Sequence, residues 1–265
     1  MAGCIPRLAA VTNLHPELRP SAEPLAIPER VLAIGAHPDD VEMIVGGTLA
    51  KMIDRGRSVV VADLTRGEMG TRGSPEVRAR EAADAARIMG VTERINLDMG
   101  DGVLEDTLEN RAEIVAVIRQ YRPAIVLCHH WDDLHPDHCA AANMVQNIMY
   151  PVGFEKHAAG GTPYRPQAFL FYKGHIPFVP SFIVDTSGYF EKKKAAIDAF
   201  RSQLHNPEST ERLTGIAKPD FLLRIEARDR YFGSLIEKTH GEPFFMKRAV
   251  PMDDPVAHFA PFTRV

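Results

Sequence analysis

Along the first 150 residues, short apolar segments that read as buried strands alternate with segments of helical period, and few folds accept that pattern. "RVLAIGA" is followed by "VEMIVGGTLAKMIDRG", where Val41, Ile44, Val45, Leu49, Met52 and Ile53 recur at helical spacing and Gly56 is placed to end the helix. "SVVVADLT" precedes a Gly-rich loop, "RGEMGTRGS", and an alanine-rich helix that Pro75 opens and Gly90 closes. "RINLDMGDG" gives a short strand and turn. "LENRAEIVAVIRQYRP" gives a helix halted before Pro123, and "AIVLCHH" is a nearly all-apolar strand ending in histidine. Strands buried on both faces and joined by helices predict parallel βαβ units, hence an α/β, Rossmann-like three-layer fold with a mostly parallel sheet.

Past residue 150 the pattern loosens. "QAFLFY" and "SFIVDTS" read as strands, 187–204 and roughly 217–238 as helices, and "GEPFFMKRAVPMDDPVAHFAPFTRV" as a surface-packed tail. Residues 1–29 are rich in proline and lack the basic start and apolar run of a signal peptide, which predicts an extended or disordered arm before a single domain over 30–265. With 265 residues, 45% of them hydrophobic, there is chain enough for one large core. A net charge of −4 with both signs interspersed excludes the broad basic face that nucleic acid or anionic lipid requires, so a small molecule is the expected partner. No uncharged apolar run is long enough to cross a membrane. The three cysteines, Cys4, Cys128 and Cys139, form no Cys-x-x-Cys pair, which fits a reducing compartment, the cytoplasm, better than a disulfide framework. Cys128 and Cys139 are read as packing residues.

In an open parallel sheet ligands bind beyond the carboxyl ends of the strands. Two such ends here carry acidic histidine clusters: His37-Pro38-Asp39-Asp40, and "HHWDDLHPDH" with His129, His130, Asp132, Asp133, His135, Asp137 and His138. Neutral imidazole and carboxylate are zinc ligands, and three of them with an open position make a catalytic zinc site. His37 and Asp40, three apart across a strand-to-helix turn, can face one ion, which leaves Asp39 free to act as a base. Pro136 suits a first helical position, so His135 and His138 form an i, i+3 pair at a helix start, one for metal and one for substrate. Either cluster alone is explained by a turn with an Asx cap; two at the ends of parallel strands are not. A non-haem Fe(II) oxygenase also uses two histidines and a carboxylate, but the His-x-x-Asp spacing and spare Asp39 favour hydrolysis. A nucleotide-binding module would need a Gly-x-Gly-x-x-Gly turn, which the first strand lacks.

These motifs, Ala-His-Pro-Asp-Asp at 36–40 and His-Pro-Asp-His at 135–138, with "DLTRGEMGTRG", "RAREAADAARIMGV" and "GEPF", resemble the LmbE-like, PIG-L type zinc-dependent N-deacetylases over roughly residues 30–245. The resemblance implies an LmbE-like fold and hydrolysis of an acetamide. It implies His37, Asp40 and His138 as metal ligands, Asp39 as general base and His135 as oxyanion stabiliser, with Asp137 holding His135 charged, although a helix-cap role suits Asp137 as well. Arg78 is implied to contact the sugar hydroxyls, with a solvated helix-face charge as the alternative, and Asp101 in "MGDG" is read as a further sugar contact, with a turn role as the alternative. Glu68, His129, His130 and Asp133 are left as supporting or rim groups. Zn²⁺ is the implied ion, and Fe²⁺ or another divalent ion suits the same N and O ligands. The segment "AFLFYKGHIPFVPSFIVDTSGYFEKKKAAIDAFRSQLH" is most similar to the branch that deacetylates N-acetylglucosaminyl malate in bacillithiol synthesis, although His240 stands where that branch is expected to have tyrosine. The alternative is another N-acylated glycoside. A malyl group needs a cation, and Lys173, His175, Arg201 and Arg72 are the candidates. The resemblance allows a homo-oligomer without fixing it.

Overall fold

A computed structural model describes residues 29–259. The arm expected over 1–29 therefore lies almost wholly outside the described residues. Five parallel strands form the central sheet: β1 (Arg30–Gly35), β2 (Ser58–Asp63), β3 (Glu93–Asn96), β4 (Ile125–His129) and β5 (Ala168–Tyr172), in the order β3-β2-β1-β4-β5. The connecting helices are α1 (Asp40–Asp54), α2 (Pro75–Met89), α3 (Leu108–Tyr121) and α4 (Pro136–Ile148), followed later by α5 (Phe190–Ile197) and α6 (Phe221–Ser234). Successive side chains of a strand point to opposite faces. Accordingly Leu32 and Ile34 of β1 pack with Ile114, Ile118, Met144 and Val145 of α3 and α4. Val31 and Ala33 pack with Val41, Leu49, Ala85, Met89 and Ile197 of α1, α2 and α5. The result is the three-layer, Rossmann-like α/β arrangement that the alternation predicts.

Helix ends follow local chemistry. The Ser74 hydroxyl accepts from the Val77 N–H in front of Pro75, and Gly90 closes α2 in the left-handed conformation. The second half departs from expectation. Helices α5 and α6 are shorter than the ranges 187–204 and 217–238, and the tail is not all surface. Gly241–Phe244 is a fully buried strand, β7, paired antiparallel with β6 (Phe182–Asp185), and Phe245 bridges to Phe171 of β5. A four-residue strand containing proline has no alternation to reveal it. The short helix α7 (Pro255–Phe259) is exposed throughout. Among the described residues, no helix is long and apolar enough to cross a membrane.

The strand order reverses direction between β1 and β4, which lie side by side with Leu32 opposite Val126. Such a switch point opens a crevice at the carboxyl ends of the two strands. His37 follows one of those ends and His129 is the last residue of the other.

Candidate metal centre and active site

The turn after β1 folds tightly on itself. The His37 N–H donates to Asp40 Oδ2 at 2.8 Å, and His37 Nδ1 lies 3.3 Å from the same oxygen. From the other strand end, His138 Nε2 lies 3.3 Å from Asp40 Oδ1. Ligand atoms of His37, His135 and His138 fall within 4.8 Å of one another, as do those of Asp40, His129 and His138. Asp40 thus lies against both His37 and His138, the residues that the resemblance implies as ligands beside it, and His129 joins them. That fully buried imidazole stacks on His138 at 3.9 Å and sets Nε2 3.1 Å from Asp40 Oδ2.

The donor set fits a divalent ion. Two imidazoles and a carboxylate are a donor set of the kind that open zinc sites use. The electrostatics agree. Burial would lower the pKa of His37, but hydrogen bonds to Asp101, Asp137 and Asp40 outweigh it and hold the group well above its ordinary value. His138 is likewise disfavoured as a cation by burial, yet Asp40 and Asp133 raise it to about 9. Burial opposes ionisation of Asp40, and His138 and His129 nevertheless hold it well below the carboxylate range. The carboxylates draw protons onto these histidines where a bound ion would supply the positive charge instead.

Asp39 sits apart from this set. It is buried, and its φ of 140° lies in the left-handed region that costs a non-glycine residue about 1–3 kcal/mol. The Arg78 guanidinium explains how it is held. It donates to Asp39 Oδ2 at 3.0 Å, to the Pro38 carbonyl at 2.8 Å and to the Gly67 carbonyl at 3.2 Å. Burial pushes the Asp39 carboxyl up to about 7, against the lowering pull of Arg78 and with a further push from Asp40. Arg78, expected to reach the sugar, is itself buried with its bonds turned inward to this loop.

His135 and Asp137 also differ from expectation. The Asp137 carboxylate lies 3.1 Å from His37 Nε2 and accepts from the Gly102 N–H at 2.8 Å, so it does not reach back to His135. The N-cap of α4 is His135, whose Nδ1 accepts from the Asp137 N–H at 3.2 Å. Burial, together with the charges of His37 and His138, lowers its pKa. A neutral ring that accepts at Nδ1 carries its proton at Nε2 and remains a donor. Asp101, expected at a sugar hydroxyl, has Oδ1 3.1 Å from His37 Nε2 and accepts from the Met69 N–H at 2.8 Å. Glu68 accepts from the Asp101 N–H at 2.8 Å. Asp133 faces His138 Nδ1 at 3.3 Å and His175 Nδ1 at 2.6 Å. His130 stacks on Trp131, with ring centroids 3.9 Å apart. His240 stacks on Phe190 and so belongs to the packing of α5. Cys128 is buried, which pushes its thiol up, and the Cys139 thiol donates to the Asp133 carbonyl.

Residues 32–149, which contain every one of these groups up to α4, match the family model for GlcNAc-PI de-N-acetylase, PIG-L. The chain is also 38% identical over 197 residues to the diacetylchitobiose deacetylase of Thermococcus kodakarensis, covering 68% of this chain and 72% of that protein. The chain belongs to the PIG-L, or LmbE-like, deacetylase family. A probable N-acetyl-alpha-D-glucosaminyl L-malate deacetylase 2 of Bacillus cereus is 29% identical over 192 residues, 65% of this chain and 83% of that one. Among solved structures, a conserved protein of Thermus thermophilus superposes with a TM-score of 0.77 at 34% identity, over 90% of this chain and all of the other. This PIG-L chain is accordingly an enzyme that hydrolyses N-acetyl amides, in a metal-dependent family whose members act on small N-acetylglucosamine-containing molecules.

Proposed function

We propose that this enzyme is a zinc-dependent N-deacetylase of a small, neutral N-acetylglucosamine glycoside, with zinc held by His37, Asp40 and His138. The carrying observation is that His37 and His138 each lie 3.3 Å from Asp40 where β1 and β4 end, with His135 grouped beside the two histidines. When bound, zinc supplies Lewis acidity, polarising the acetamide carbonyl and making water more acidic. Asp39 takes a proton from the attacking water as the C–O bond forms, and His135 donates from Nε2 to the developing oxyanion. The C–N bond then breaks, the proton held by Asp39 passes to the departing nitrogen, and acetate and the free amine result. Arg78 acts through Asp39, fixing its direction, and Asp101 and Asp137 orient His37 from outside, as outer partners of metal-binding histidines do.

Two features favour a neutral aglycone over the malyl group. The cations nominated for malate are committed elsewhere. Arg72 is buried and bonded to Glu211, Ser209 and the Leu204 carbonyl, and Lys173 is bonded to Asp132 at 2.6 Å. His175 is paired with Asp133, and Arg201 lines a surface hollow with Asp84, Arg87 and Ile88, near the end of α2 that runs back toward the strand starts. In addition, Met69, Val103 and Leu134, on the loops that follow β2, β3 and β4, expose apolar side chains suited to the faces of a second sugar ring. The likeness to a diacetylchitobiose deacetylase is in keeping with this reading. Amine release measured on N-acetylglucosamine, diacetylchitobiose and N-acetylglucosaminyl malate tests it. The disaccharide is expected to give the highest kcat/KM. A malate preference of about tenfold or more, weakening with salt, would return the assignment to the malate branch.

A further inference from the structure

Helix α1 carries Asp40 in its first turn, and it is not straight. Val45, with φ −125° and ψ 15°, leaves the helical region and kinks the helix one turn beyond the site. In a continuous helix the Met43 and Ile44 carbonyls would pair with the Gly47 and Thr48 N–H groups. Each of these four groups has a partner from far along the chain. Glu242 Oε1 accepts from Gly47 N–H at 2.9 Å and Oε2 from Thr48 N–H at 2.6 Å. Arg228 donates to the Met43 carbonyl at 2.6 Å, and Lys193 Nζ donates to the Ile44 carbonyl at 3.4 Å. These outside groups are bonded to one another. Lys193 Nζ lies 2.6 Å from both Glu242 and Asp229, and Arg228 lies 3.2 Å from the second oxygen of Asp229.

The network is built for close approach. Lys193, Asp229 and Glu242 are essentially inaccessible to solvent. A Cβ on Gly46 would stand 3.0 Å from the Lys193 side chain, and one on Gly47 3.0 Å from Glu242 Oε1, so the two glycines let the ions reach the backbone. Burying three charges is costly and seldom stabilises a fold more than apolar packing would, which points to a demand for geometry. The only part of α1 between the kink and the sheet is the turn that holds Asp40 and follows Asp39.

We propose that Glu242, Lys193, Asp229 and Arg228 are positioning residues: together they clamp the kink of α1 and aim its first turn, so that Asp40 meets His37 and His138 in metal-binding geometry. The proposal rests on the metal site assigned above. It gives the "GEPF" strand, some 200 residues from Asp40 in sequence, a role in the site's metal affinity.

Glu242→Gln keeps the shape of the side chain and removes its charge, and Arg228→Met, at a partly exposed position, releases the Met43 carbonyl and one oxygen of Asp229. For each, zinc affinity is measured by competition with a chromophoric chelator, with folding checked by circular dichroism and with kcat and KM taken at saturating zinc. Folded Glu242→Gln should bind zinc about tenfold or more weakly, the usual scale for outer groups around a metal, with kcat reduced and KM little changed. Arg228→Met, the variant to rely on if Glu242→Gln does not fold, should shift zinc affinity in the same direction by a smaller factor. A purely structural network would lower the unfolding midpoint and leave zinc affinity and kcat as in the wild type, and that result would overturn the clamp. Wild-type protein that fails to bind zinc would instead remove the metal-site reading, and the clamp with it.

Discussion

Replacing Arg78 with methionine separates two readings of this residue. In the structure the guanidinium makes three bonds, to Asp39, to the Pro38 carbonyl and to the Gly67 carbonyl, with both charged side chains about 5% exposed. Removing one partner of a buried ion pair costs about 3–5 kcal/mol, because the remaining charge is left without compensation. Arg78→Met should therefore lose about that much stability in urea unfolding. It should also lose kcat, by about 10²-fold, since a base that is no longer aimed forfeits most of what general-base catalysis provides. Arg78→Lys keeps a positive charge but cannot span the two carbonyls and the carboxylate, so it should recover only part of each loss. Loss of a sugar-contacting arginine behaves otherwise, raising KM while leaving kcat and stability in place. If Arg78→Met unfolds within about 0.5 kcal/mol of the wild type and changes only KM, the positioning argument is wrong.

Three other variants probe neighbouring parts of the account. Asp39→Asn should keep its metal, by elemental analysis, while kcat falls by about 10²-fold or more; loss of the metal would make Asp39 a ligand. His135→Ala should also retain metal and lose about 2.7–4 kcal/mol of transition-state stabilisation in kcat, as oxyanion donors do, whereas metal loss would place it among the ligands. Away from the site, hydrogen bonds from Arg111 and Asn147 hold the Asp106 carboxyl below its ordinary value despite partial burial. A group whose folded pKa is depressed contributes stability above its unfolded pKa of about 4 and loses it as pH falls through the folded value. Asp106→Asn should thus cost about 0.5–1 kcal/mol at pH 7 and progressively less below pH 4, and a pH-independent difference in urea unfolding would contradict the assignment.

What the sequence revealed, and what it hid, has a physical pattern. Strands β1, β2 and β4 were legible because strands buried on both faces are continuous apolar runs, and the candidate metal site was legible because two acidic histidine clusters end two of those strands. The inward turn of Arg78 was not, since a charged residue on an alanine-rich helix reads as a solvated face until the Gly67 loop folds over it. There a glycine Cβ would meet the guanidinium at 1.9 Å. Asp101 and Asp137 reach His37 through chain separations of 64 and 100 residues, for which no local period exists. Glu242 was hidden in what reads as a proline-rich tail. Its partners lie on α1, α5 and α6, and only the folded chain brings the four together.

The central claim is that His37, Asp40 and His138 hold the ion on which Asp39 and His135 depend. It is tested most directly by measuring zinc per chain and deacetylation rate together, in wild-type protein and in His138→Ala. The account predicts about one zinc per wild-type chain, activity lost on chelation and restored by zinc, and a folded His138→Ala protein with little of either. A His138→Ala protein that keeps its zinc and its turnover, or a wild-type enzyme fully active without metal, would contradict it.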